Sequence, residues 1–197
     1  SPSPVSAGWP CPGRAASSRT APPASLGAAR HGSPGGLARS MCEVRCLPIS
    51  RRLARNFEGL FPGRDLLKEP HVIVTLALQT HHRQSAMSTE MIDERQEAFQ
   101  KLMCRMQDFK AHFDDAGRWC DFIDPATGAP FFSDSATTLL ECDERYRALG
   151  FEVLELGCCR CLCSERFGQC LVMTSAFLQA SEEEAAPALA ILEGPDA

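Results

Sequence analysis

Leu156-Gly157-Cys158-Cys159-Arg160-Cys161-Leu162-Cys163, carried on through residues 164–168 to Cys170-Leu171-Val172-Met173-Thr174-Ser175-Ala176-Phe177, is the stretch that decides the fold class. Cys159, Cys161 and Cys163 alternate with Arg160 and Leu162, the period-2 spacing of a strand. After Gly168 the apolar run predicts a second, returning strand, so the pair is expected to form a hairpin. Five of the eleven cysteines, 158, 159, 161, 163 and 170, fall inside it. Thiols gathered on one hairpin, with Gly157 loosening the backbone before two adjacent ones, point to a site.

Outward from that stretch, strands and helices are interspersed but never in regular βαβ alternation. His71 to Thr80 is β-rich and almost continuously apolar, which predicts a central strand. Ser50 to Phe61 sets Leu53, Phe57, Leu60 and Phe61 at helical spacing before Pro62-Gly63 stops it. Asp93 to Ala116 carries the strongest helical stripe, with Phe99, Leu102, Met103, Met106 and Phe113 on one side and Gly117 as its stop. A weak strand is expected over Met87 to Ile92. Trp119 to Ile123, the turn Pro125-Ala126-Thr127-Gly128 and Ala129 to Phe132 predict strand, turn, strand. A short helix, Asp143 to Leu149, has a carboxylate at its start and Gly150 at its end. Together these elements predict an α+β domain, a mostly antiparallel sheet with flanking helices.

Composition bounds what the domain can do. Apolar residues make up 44% of the 197, enough for a real core. The net charge is −5 and no basic cluster offers a nucleic-acid surface. The longest apolar run, Val72 to Leu78, is far short of a bilayer span. Residues 1–40 differ from the rest: 29 are Pro, Gly, Ser or Ala, and none is acidic. Such a segment cannot bury enough apolar surface to fold. Its Arg-rich character fits an organelle leader, whereas seven prolines oppose an amphipathic helix and Met41 offers an alternative start. The expected organisation is thus a disordered leader or upstream extension over 1–40, an α+β domain over 41–180 and an acidic tail over 181–197. An odd cysteine count and the missing apolar signal core favour reduced thiols, most of them small core residues.

Several chemistries can be weighed on these residues. Same-face cysteines two apart in a strand stand ~6.6–6.8 Å apart. Thiolates on one tetrahedral zinc lie ~3.8 Å apart, so zinc fits them badly. His81 and His82 are expected in a solvated loop, since neighbouring side chains in extended chain point apart. Among the carboxylates Asp121, Asp124, Glu141, Asp143 and Glu144, most are explained by turns or by the pairs Glu141–Arg145 and Asp143–Arg147. No phosphate loop, Ser-His-Asp set or dinucleotide fingerprint is present.

The run Trp119-Cys-Asp-Phe-Ile-Asp-Pro-Ala-Thr-Gly128, then Phe131-Phe132, Asp143 through Phe151, and Leu156-Gly-Cys-Cys159 resembles one family, the cobalamin-trafficking CblD proteins of methylmalonic aciduria and homocystinuria type D. Phe57-Glu-Gly-Leu-Phe-Pro62 matches it too, and the resemblance covers about 42–178. It implies a flavin reductase/nitroreductase-like domain that has lost its flavin. It also implies a non-enzymatic adaptor that binds no cofactor by itself and shares the cobalamin held by a CblC-like carrier. The cofactor then goes to methionine synthase or methylmalonyl-CoA mutase. The family's ligand cysteine falls on Cys158, with Cys159 the secondary candidate. A soft thiolate suits an axial cobalt position, and Arg160 is expected to lower the thiol's pKa. Tyr146, Leu156 and Gly157 are the expected partner-binding residues. The implied location is cytoplasmic, with the mitochondrion kept open. Cys161, Cys163 and Cys170 sit where the family mostly has other residues. Two other classes stand beside this one: a thiol- and flavin-dependent oxidoreductase using Cys158 and Cys159, and an interaction module whose cysteines are all buried.

Overall fold

The computed structural model describes residues 41–157 and 159–194. Its main sheet holds four antiparallel strands in the order β1 (Cys42–Pro48), β2 (Val72–Gln79), β6 (Leu171–Leu178), β3 (Cys120–Phe122). A second, two-stranded antiparallel sheet pairs β4 (Glu152–Glu155) with β5 (Arg160–Cys163). Helices α1 (Arg51–Asn56), α2 (Thr89–Asp115), α3 (Glu182–Ala185) and α4 (Leu189–Glu193) and a 3₁₀ helix, Glu144–Leu149, accompany the sheets. The protein is therefore α+β with antiparallel sheets.

The main sheet is covered on both faces, which is why β2 and β6 read as largely apolar runs rather than alternating ones. Val74, Leu76, Phe122, Val172 and Ala176 pack under Leu102, Met106, Phe109 and Phe113 of α2. On the opposite face Ile73, Ala77, Met173 and Phe177 meet Leu53, Phe57, Leu60 and Phe61, together with Tyr146, Phe151, Val153 and Leu162. The small second sheet and the 3₁₀ helix thus form a lid whose inner side belongs to this second core.

Four expectations change. Residues 160–163 pair with the preceding strand β4, not with the returning run. Between them, Ser164 and Gly168 exchange backbone hydrogen bonds at 3.0 and 2.9 Å and turn the chain into the main sheet. There β6 is buried along its whole length, a condition that only a central strand between two neighbours and two covered faces meets. The weak strand over Met87 to Ile92 is instead the start of α2, because the Ser88 hydroxyl accepts from Met91 N and caps the helix four residues early. The strand expected over Ala129 to Phe132 shrinks to one bridge, Ile123 to Pro130, the proline having no N–H to extend it. Finally, the part of the acidic 181–197 segment that is described folds back: Ala185, Ala188 and Leu192 enter the α2 core, and Arg105 donates to the Leu192 carbonyl at 2.9 Å. The expectation for residues 1–40 lies outside the described residues. Among the described residues no helix is long and apolar enough to cross a membrane.

Candidate functional site: a thiol-bearing hairpin

The candidate site is assembled from the outer strand inward. Asp143 caps the 3₁₀ helix, accepting from Arg145 N at 2.9 Å and from the Arg145 guanidinium at 2.8 and 2.7 Å. Those hydrogen bonds from Arg145 hold the carboxyl below its ordinary range. Gly150 ends the helix in the left-handed region, φ 85°. Arg45, reaching over from β1, donates to the Gly150 carbonyl at 2.6 Å and lies 4.4 Å from the Phe151 ring centre. The expected pairs Glu141–Arg145 and Asp143–Arg147 do not form. The helix is 3₁₀, so three residues make a turn, and Arg147 pairs with Glu144 at 2.5 Å. Glu141 lies before the helix and pairs with Arg95 of α2. Burial pushes the Glu141 carboxyl up, and Arg95 opposes it.

Tyr146, expected at the partner surface, is 1% exposed. It anchors the 3₁₀ helix in the second core, and any contribution to docking passes through the loop it holds. Leu156 is different: it is 42% exposed at the hairpin end, beside the exposed Gly157. Gly157 has φ 82° and nothing within 4 Å of where a side chain would begin. The hairpin closes with Leu156 N–H donating to the Cys159 carbonyl at 2.9 Å. A glycine at positive φ in the first position after that closing residue is what the favoured right-twisting hairpin turns require. Cys158 lies outside the described residues.

The cysteines then separate by environment. Cys159 is exposed, Cys161 buried and Cys163 half-buried, so the alternation holds one face but the end of the strand lifts Cys159 into solvent. A module with every cysteine buried is thereby excluded. Burial raises the thiol of Cys161 and, with help from Glu152, that of Cys163. It pushes Cys142 up to about 11 and Cys120 up to about 12. Thiols raised in this way stay protonated near neutral pH and do not act as ligands or nucleophiles. Cys104 on α2 is disulfide-bonded, so the reduced state expected of the cysteines does not extend to it. Among the described residues no three of His, Cys, Asp and Glu converge as metal ligands.

Other relationships were missed. His81 and His82 do not diverge. The chain bends there, and the Nδ1 atoms lie 2.9 and 2.8 Å from the two carboxylate oxygens of Glu94, which also accept both backbone N–H groups. Arg160 does not offer a free charge to the neighbouring thiols: its guanidinium lies 3.0 Å from Glu155 and 3.6 Å from Glu144. No sequence spacing marked either cluster, because each joins residues that only the fold brings together.

Fold and site define a class: an antiparallel α+β domain that presents an exposed thiol, Cys159, at the end of a braced surface hairpin. The family model described as methylmalonic aciduria and homocystinuria type D protein matches residues 37–189, and the chain belongs to that family. It is similar to the cobalamin trafficking protein CblD of Rattus norvegicus, 35% identical over 147 residues that cover 74% of this chain and 48% of the relative. The proteins of that name from Mus musculus and Homo sapiens are each 33% identical over the same coverage. The chain spans about half the length of the curated relatives it matches.

Proposed function

We propose that this chain is a non-enzymatic adaptor of intracellular cobalamin trafficking that docks on a CblC-like carrier and offers a cysteine thiolate to the cobalt of the carried cobalamin. Cobalamin is then cargo, shared with the carrier and passed toward methionine synthase, methylmalonyl-CoA mutase or both, and the site of action is the cytoplasm, with a mitochondrial branch open. The observation that carries this reading is the exposed hairpin end: Leu156, Gly157 and Cys159 face solvent while the thiols farther along β5 are withdrawn. A bulky corrin held by another protein can be reached only by a thiol on such a projection. On this reading Cys158 is the ligand. It loses its proton to solvent and gives one sulfur lone pair to the cobalt axial position, a soft donor on a soft acceptor. Leu156 contributes apolar contact and Gly157 leaves the approach free of side-chain atoms, while Tyr146 supports the loop from the core. The finer fold likeness, to flavin reductases and nitroreductases that have lost their flavin, belongs to the same reading.

Mixing the full chain with a cobalamin-loaded carrier tests it. A new visible absorption band of cobalt–thiolate character, appearing only with both proteins, is the expected result. Cobalamin dealkylation by this chain alone, or a flavin that copurifies and supports disulfide reduction, would replace the adaptor with a thiol- and flavin-dependent oxidoreductase using Cys158 and Cys159.

A further inference from the structure

The first residue of β5 is tied to more elements than a four-residue surface strand needs. Arg160 Nη2 donates to Glu155 Oε1 at 3.0 Å, its directly opposed partner in the β4–β5 register. Nη1 lies 3.6 Å from Glu144 Oε1 on the 3₁₀ helix. The second oxygen of Glu144 accepts from Arg147 Nε at 2.5 Å, and Arg147 in turn donates to the carbonyl of Val153 on β4. From the other side, the backbone carbonyl of Arg160 accepts from Cys142 Sγ at 3.2 Å. The residue before Cys142 is Glu141, which Arg95 fastens to α2. Charges alternate along this chain, from Arg147 through Glu144 and Arg160 to Glu155, and its two ends grip the same strand pair.

We propose that Arg160 is the positioning residue of the thiol hairpin, acting through geometry and not through its charge; this rests on the adaptor reading given above. Two carboxylates already face its guanidinium, so little uncompensated positive potential is left for the neighbouring thiols. What the contacts do achieve is to fix the first residue of β5 against β4, the 3₁₀ helix and the Glu141–Cys142 loop. Exposed ion pairs contribute little singly, but several sharing one planar fork divide the ordering cost among them.

Two variants of the full chain, Arg160→Gln and Arg160→Lys, separate geometry from charge. Backbone amide exchange over β4 and β5 is followed by peptide mass spectrometry. Hairpin amides are expected to exchange about two- to fivefold faster in Arg160→Gln, with those of β2 unchanged. Arg160→Lys recovers only part of that protection, because an ammonium cannot span both carboxylates. Unchanged hairpin exchange in Arg160→Gln overturns the proposal. So does full recovery of hairpin protection in Arg160→Lys, which would make the charge alone sufficient. The readout does not need the carrier, so a carrier that fails to bind would defeat the adaptor reading and leave this result legible.

Discussion

Arg45 on the outermost strand and Gly150 at the end of the 3₁₀ helix are locked together: Arg45 Nη1 donates to the Gly150 carbonyl at 2.6 Å, and a Cβ at position 150 would stand 2.5 Å from the same nitrogen. The 3₁₀ helix is therefore held at its C-terminal end by a cation, where helix carbonyls lack partners. Gly150→Ala is expected to cost about 1–2 kcal/mol from the left-handed backbone. Arg45→Met is expected to cost about 0.5–1.5 kcal/mol, the net worth of hydrogen bonds that water can partly replace. Urea unfolding of the two variants measures both.

Gly128 is a tighter case. A Cβ there would lie 2.9 Å from Leu140 N and 3.0 Å from the Leu139 carbonyl oxygen, all backbone, and φ is 72°. Leu139 N donates to the Gly128 carbonyl at 2.7 Å, so the turn at 124–128 and the irregular run into Glu141 and Cys142 are pressed together. Gly128→Ala is expected to destabilise by about 2–4 kcal/mol, overpacking and backbone strain together. Equal stability of this variant in urea would mean that the two segments are free to separate.

Tyr146→Ala is expected to lower stability by about 3–5 kcal/mol, as for a large aromatic side chain removed from a core. Carrier affinity per folded molecule should hold at temperatures where the variant remains folded. A calorimetric scan together with a binding titration checks this. Lost affinity at full stability would return Tyr146 to the surface role expected from its sequence neighbourhood.

The Glu94 clamp gives the acid limb of stability a definite sign. Burial works to raise its carboxyl, but the hydrogen bonds from His81 and His82 outweigh it and pull the value from 4.5 down to about 2. A carboxyl lowered on folding stabilises the native state above its unfolded value, and that contribution disappears as pH falls from 4.5 toward 2. Glu94→Gln should therefore be less stable than the parent at pH 6 and converge with it near pH 2. Glu184, also lowered to about 2 by its hydrogen bond with Arg118, titrates in the same window and is common to both proteins. Parallel stability curves for the two proteins across pH 6 to 2 would show that the clamp contributes nothing.

How far the sequence carried is visible element by element. The central strand β2, the α2 stripe and the cap at Asp143 were legible because apolar periodicity and capping chemistry act over a few neighbouring residues. Strand β1 was legible in principle, since Cys42, Val44 and Cys46 alternate with Glu43 and Arg45, yet a seven-residue alternation beside a Pro- and Gly-rich segment went unassigned. The partner of β5 was not legible. Choosing between β4 and β6 depends on which strand must be buried on both faces, a property of the assembled sheet. For the site, residues 156–163 stood out by composition and Gly157 by its place just before two adjacent cysteines. The Arg160 network and the Glu94 clamp did not, because Glu94 lies 13 residues from His81 and Cys142 lies 18 from Arg160. Pairs at that distance carry no periodic signal.

The central claim is that one thiol at the hairpin end, Cys158, meets the cobalt of carrier-held cobalamin, and its most direct test is the absorption spectrum of the ternary mixture for Cys158→Ser beside Cys159→Ser. One axial cobalt position takes one sulfur, so only one of the two can be the ligand. Cys158→Ser is expected to abolish the cobalt–thiolate band with the urea midpoint of the free protein unchanged, while Cys159→Ser keeps the band. The reverse pair of spectra, or a band that survives in both variants, would contradict the assignment.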